Sequence, residues 1–188
     1  MSAYLRHLPN VISVARIVLV GPIVWSLLTE RFSLAIGLFL VAGASDGLDG
    51  FLAKRFGWSS RLGGILDALA DKFLLISTFV CLGWLGLFPW WLVLSVLARD
   101  LLIVSGAIVY NFRIEAVQPE PSLISKLNTL LQIALAAVGV VEVGFGGIPG
   151  WLLWTLIWAV MLTVLLSGTG YVREWSRRAR AGGTGLHD

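Results

Sequence analysis

Apolar positions in this chain come in unbroken blocks rather than in alternation with polar ones. Phe73 to Ala98 contains no charged residue, and Leu127 to Val172 contains only Glu142. Apolar runs of about 18 residues or more are long enough to cross a hydrocarbon layer as helices. Breakers separate the blocks at Glu30-Arg31, Phe56-Gly57, Phe88-Pro89, Gln118 to Pro121 and Gly146 to Gly150. Six spans follow, at 9–29, 33–56, 62–86, 90–112, 123–145 and 149–172. The expected fold is an all-α integral membrane protein, a six-transmembrane-helix bundle. Its connections are short, so consecutive helices are expected to be antiparallel neighbours. Residues 1–175 read as one membrane domain and 176–188 as a basic, disordered tail; no internal repeat is visible.

Composition narrows the class further. The chain is 57% hydrophobic and only 13% charged, with a mean hydropathy of +0.87. A soluble chain of 188 residues could not cover that much apolar surface with so few charges. The first apolar segment carries Arg16 and lacks a small-residue cleavage site, so no cleavable signal peptide is expected. Cys81 is the single cysteine and reads as a packing residue.

Charge sets the expected orientation. Arg6, Lys54, Arg55, Arg61, Arg113, Lys126 and the C-terminal arginines fall on one side of a six-helix count, with Arg31 alone opposite. The positive-inside tendency then places both termini in the cytoplasm. Arg173, Arg177, Arg178 and Arg180 follow an apolar segment, a pattern suited to anionic lipid head groups and not to nucleic acid.

Four carboxylates break the apolar pattern within SDGLDGFLAKRFGWSSRLGGILDALADK, residues 45–72. Asp46 and Asp49 are three apart, and Asp67 and Asp71 four apart, so each pair shares a helix face. A short turn joins the two helices, which lets the faces meet at the cytoplasmic side. Four converging anions at a membrane interface repel one another and need a cation. Lys54, Arg55, Arg61 and Lys72 are the cations close in sequence, too few and too exposed for an internal ion-pair network. Divalent metal is the expected answer, because carboxylate oxygens suit Mg²⁺ or Mn²⁺ and four can hold two ions. Gly47, Gly50, Ala53, Gly63, Gly64, Ala68 and Ala70 thin the same helices, for close helix packing or for approach of a ligand.

This stretch resembles the signature of the CDP-alcohol phosphatidyltransferase family, D-x-x-D-G-x-x-A-R-x8-G-x3-D-x3-D. Here it reads Asp46, Asp49-Gly50, Ala53, Lys54, Gly63, Asp67 and Asp71, with every spacing kept and lysine where the family has arginine. Lysine keeps the charge but loses the bidentate fork for phosphate. Leu8-Pro9-Asn10-Val11-Ile12-Ser13 followed by Arg16 also looks like the family's first-helix opening. The resemblance implies that Asp46, Asp49, Asp67 and Asp71 bind two divalent metal ions, with Asp71 also the general base. It implies that Asn10, Ser13, Asp46, Gly50, Ala53, Lys54, Ser60 and Gly63 contact a CDP-linked lipid, that CMP is released, and that the protein is a homodimer.

Acceptor candidates lie further along. Arg99-Asp100 falls mid-span, either as a mutual ion pair, as a partner for Arg16, or as support for an acceptor. In PSLISKLNTLLQ, residues 121–132, Lys126, Asn128, Thr129 and Gln132 are polar at the start of the fifth span; Lys126 has head-group snorkelling as its other reading. The S-K-x-N-T-x-x-Q pattern is similar to that of cardiolipin synthases, which use phosphatidylglycerol, whereas phosphatidylglycerophosphate synthases tend to show a second lysine at the Asn128 position. A dianionic glycerol 3-phosphate would favour that lysine; a monoanionic phosphodiester would not. The expected reaction joins CDP-diacylglycerol to phosphatidylglycerol, with glycerol 3-phosphate as the alternative acceptor. The expected setting is a bacterial cytoplasmic or mitochondrial inner membrane, with the site on the cytoplasmic or matrix side. A cation or proton transporter is the reading from another class, but the carboxylates keep to one side and no inverted repeat accompanies them.

Overall fold

A computed structural model describes the backbone at residues 8–56, 61–113 and 123–182, and side chains at 11–45, 63–64, 66–67, 69–105 and 123–170. Six helices follow in order: α1 (Leu8–Leu28), α2 (Phe32–Phe56), α3 (Arg61–Trp84), α4 (Trp90–Arg113), α5 (Leu123–Phe145) and α6 (Gly150–Gly182). They match the hydropathy blocks closely except at the last end. There α6 runs on to Gly182, past the expected 172, so residues 176–182 of the expected tail are helical. The apolar block stops at Val172, but Arg, Glu and Ala that follow are good helix formers.

Three stretches among the described residues are long and apolar enough to cross a membrane: Val11–Leu28, Leu123–Phe145 and Gly150–Gly170. In α3 and α4 the apolar run is interrupted by Asp67, Asp71 and Lys72, and by Arg99 and Asp100. Only 28% of the Val11–Leu28 stretch is buried within the protein. Val18, Leu101, Leu130 and Trp151 are likewise exposed. Large apolar side chains turned outward in such numbers are what a helical protein surrounded by lipid presents.

The chain forms two compact units, Met1–Pro89 with Ala136–Ile148, and Trp90–Leu135 with Pro149–Asp188. In the first, α1 packs against both α2 and α3, with Ile23, Leu27, Phe39, Leu75 and Phe79 buried. α3 ends in a left-handed turn at Gly86 (φ 79°), where the Leu87 amide donates to the Leu82 carbonyl at 3.0 Å. That bond from five residues on closes a helix end with a positive-φ residue, which glycine adopts at no steric cost. A Cβ on Gly139 would stand 2.7 Å from Leu82 Cδ1 and 2.8 Å from Phe88 Cζ, so the close approach there needs glycine. At the end of α5 the Glu142 carboxylate accepts the Ile148 amide at 2.8 Å, bracing a turn with two positive-φ glycines, Gly146 and Gly147. In the second unit α4 packs against α6, and Val93, Val96, Ile157 and Val160 are buried.

Candidate active site

Asp67 and Asp71 sit one turn apart on α3, an uninterrupted helix from Arg61. α1 packs on α3 and carries Ser13 and Arg16, three residues apart and both buried. Arg16 Nη1 donates to Asp67 Oδ1 at 3.1 Å and to Asp71 Oδ1 at 2.8 Å. The Arg16 side chain is fully buried, whereas those of Asp67 and Asp71 remain 41% and 36% exposed. A cation fixed inside the protein thus meets two carboxylates at its edge. Desolvating a guanidinium costs several kcal/mol unless it is paired, so the two aspartates are also what makes this arginine tolerable.

The sequence puts only Lys54, Arg55, Arg61 and Lys72 beside the aspartates, and on that ground an ion-pair network looks too poor in cations. Arg16 corrects this: it lies 51 and 55 positions from its two partners in sequence. Ser13, expected near the nucleotide, is buried on α1 one turn from Arg16. Gly63 is partly exposed near the start of α3. Asp46, Asp49, Gly50, Ala53 and Lys54 belong to α2 and Asn10 to α1, but their side chains lie outside the described residues, as does Ser60 entirely.

Asp67 and Asp71 offer hard oxygen donors on one helix face, the chemistry that Mg²⁺ and Mn²⁺ prefer. Among the described residues no three metal-binding side chains come together; the other two aspartates of the motif are outside them. The described part therefore fits half of a four-carboxylate set.

The second unit holds a separate buried polar cluster. Arg99 Nη1 donates to Asp100 Oδ1 at 2.7 Å, and its Nη2 donates to the hydroxyls of Ser125 on α5 and Ser167 on α6. Of the readings left open for Arg99-Asp100, the mutual ion pair is present. Asn128 Oδ1 accepts from the Thr163 hydroxyl at 2.9 Å. Asn128 and Gln132 are fully buried, and among the described residues Asn128 Nδ2 and both polar atoms of the Gln132 amide have no hydrogen-bond partner. Thr129 returns its hydroxyl to the Ser125 carbonyl at 3.2 Å, and Lys126 is exposed, apart from the buried group. Thr163 and Ser167 are absent from the sequence-derived candidates. Their signal is a four-residue polar spacing in an otherwise apolar block, which marks one helix face. An apolar groove of about 420 Å³ runs beside Arg99, walled by Ala98, Leu102, Val164, Leu165, Gly168 and Thr169.

The chain matches the model of the CDP-alcohol phosphatidyltransferase family over residues 6–165. It belongs to that family. Relatives carry two kinds of name. A rice (Oryza sativa subsp. japonica) protein, CDP-diacylglycerol–glycerol-3-phosphate 3-phosphatidyltransferase 1, chloroplastic, is 34% identical over 184 residues, covering 88% of this chain and 56% of its own length. Human cardiolipin synthase (CMP-forming) is 32% identical over 148 residues, covering 69% of this chain and 48% of its own. A Streptomyces coelicolor cardiolipin synthase (CMP-forming) is 37% identical over 103 residues, with 52% and 48% covered. The chain thus spans about half the length of these curated relatives. Membership accounts for the aspartate motif.

Proposed function

We propose that this family member serves phospholipid biosynthesis by moving a phosphatidyl group from CDP-diacylglycerol to a hydroxyl of phosphatidylglycerol, giving cardiolipin and CMP. The observation that carries the reaction type is the Asp67–Asp71 pair, one turn apart on α3 within the family motif. Asp71 takes the proton of the attacking hydroxyl. That oxygen bonds to the lipid-side phosphorus in line with the breaking phosphorus–oxygen bond, and CMP leaves with the electron pair. Asp46, Asp49, Asp67 and Asp71 would hold Mg²⁺ or Mn²⁺, which would supply charge neutralisation for the diphosphate. Lys54 gives the donor phosphate a point charge, and Asn10, Ser13, Gly50, Ala53, Ser60 and Gly63 shape the nucleotide site. The working arrangement is six membrane-spanning helices with cytoplasmic termini, as a homodimer in a bacterial cytoplasmic or mitochondrial inner membrane. The site then lies at head-group depth, where a lipid-linked diphosphate resides.

The acceptor reading rests on charge. Arg99 is already balanced by Asp100, and Asn128 and Gln132 are neutral amides. Among the described residues one arginine is matched by one aspartate in this cluster, a balance that suits glycerol hydroxyls of a lipid head group better than a dianionic phosphate. Transfer to glycerol 3-phosphate is the second reading, favoured by the rice relative that covers 88% of this chain.

The test uses purified protein in lipid–detergent micelles with CDP-diacylglycerol and Mn²⁺, offered labelled phosphatidylglycerol and glycerol 3-phosphate in parallel. Label entering cardiolipin, and lost in Asp71→Asn, is the expected result. Label moving from glycerol 3-phosphate instead would overturn the acceptor assignment while leaving the aspartate chemistry in place. Product formed equally well by Asp71→Asn would remove the general-base role.

A further inference from the structure

We propose that Arg16 is a positioning residue, a fixed counter-cation that presets the two α3 carboxylates and limits how tightly they hold a divalent cation. The inference rests on the reading that Asp67 and Asp71 bind such a cation. Its basis is geometric. One nitrogen, Nη1, reaches Oδ1 of both aspartates, at 3.1 Å and 2.8 Å. Both carboxylates are therefore joined to α1 through the same atom.

Burial explains why this contact is durable. The Arg16 side chain is 0% exposed, so its guanidinium cannot swing out to water as a surface lysine could. An apolar residue would fill the position on α1 without the cost of desolvating a charge. What the arginine adds is charge at one fixed point. Two anions one turn apart repel, and Arg16 lowers the net charge of the pair and itself from −2 to −1. Preset carboxylates need less reorganisation when a cation arrives. The same positive charge repels that cation, because it stands in contact with the oxygens' own carboxylates. Alignment and weakened affinity together describe a site that fills and empties readily.

A purely structural arginine predicts something different. Its loss would disorder the carboxylates and weaken cation binding, or leave it unchanged. A counter-cation whose repulsion outweighs its alignment of the carboxylates predicts the opposite sign.

The experiment measures Mn²⁺ affinity of the full chain in lipid micelles, by the resonance signal of free Mn²⁺, alongside CMP release. Wild type, Arg16→Gln, Arg16→Lys and Asp71→Asn are compared. We expect Arg16→Gln to bind Mn²⁺ about tenfold more tightly, within the usual range of coupling between neighbouring sites, while its kcat falls. Arg16→Lys keeps the charge, so its Mn²⁺ affinity should stay within about threefold of wild type and part of its kcat should survive. The metal-free Arg16→Gln protein should also melt lower and gain more from added Mn²⁺ than wild type does. Equal or weaker Mn²⁺ binding in Arg16→Gln overturns the proposal. Should that variant not fold, Arg16→Lys decides: unchanged affinity with reduced kcat supports it, and affinity loosened tenfold or more overturns it. Wild type that binds no Mn²⁺ beyond what Asp71→Asn binds would instead remove the cation site itself.

Discussion

Asn128 on α5 accepts a hydrogen bond from the Thr163 hydroxyl on α6 at 2.9 Å, and both side chains are buried. Thr163→Val removes the donor while keeping the shape, leaving the amide oxygen without its partner. An orphaned buried polar group costs about 1–3 kcal/mol. Thermal unfolding in detergent should show a lowered Tm for Thr163→Val, with part of the loss recovered when Asn128→Leu is added. An unchanged Tm in the single variant would mean the bond contributes nothing.

Breaking the Arg99–Asp100 pair from one side should be costlier. The pair is buried, and Arg99 also donates to Ser125 and Ser167. Asp100→Asn leaves a buried guanidinium short of its counter-charge, which typically costs about 3–5 kcal/mol. Arg99→Met with Asp100→Leu should lose less than either charge-stranding single change. A double variant as unstable as the sum of the singles would argue against coupling between them.

Glycines in this fold divide into two kinds, and alanine should separate them. At Gly139 the added Cβ meets Leu82 and the buried Phe88 ring below 3.0 Å, whereas at Gly168 it meets nothing within 4 Å among the described residues. Gly139→Ala should destabilise by about 1–3 kcal/mol, the usual cost of overpacking. Gly168→Ala should be neutral or stabilise by up to about 1 kcal/mol through helix propensity. Denaturation midpoints of the two variants, measured side by side, check the ranking.

Donor chemistry gives a fourth expectation. Asp71→Asn should lower kcat for CMP release by about 10²–10⁴-fold, the span of general-base contributions. Lys54→Arg restores the family's residue and its bidentate fork. It should lower KM for the CDP-lipid with little change in kcat, which steady-state kinetics would show. A raised KM would mean that lysine is fitted to this site.

The helices were legible because blocks of apolar residues end at recognisable breakers, such as Phe88-Pro89 and Gly146 to Gly150. The aspartate faces were legible for a similar reason, since spacings of three and four translate directly into helix geometry. Arg16's partners were not, because nothing local announces a contact across 51 or 55 positions. A lone arginine in an apolar first helix signals that some anion must meet it, without saying which. The extension of α6 escaped because hydropathy reports where lipid ends and helix propensity reports where the helix ends. Thr163 and Ser167 were visible as a polar pair in an apolar run, but their meaning depends on Asn128 and Arg99 standing opposite.

The Arg99 cluster also has a bearing on how the chain is made. Its three helices do not emerge from the ribosome together: the hydroxyls that receive Arg99 lie 26 and 68 residues downstream. While α4 is the newest helix, its arginine has Asp100 beside it but neither serine. In the proposed six-span arrangement such a segment would enter lipid poorly by itself, since an intramembrane arginine is costly without its full set of partners. In that arrangement stable integration of α4 would wait until α5 and α6 are synthesised, and the nascent protein would commit to the bilayer in the order of its hydrogen bonds instead of the order of its codons.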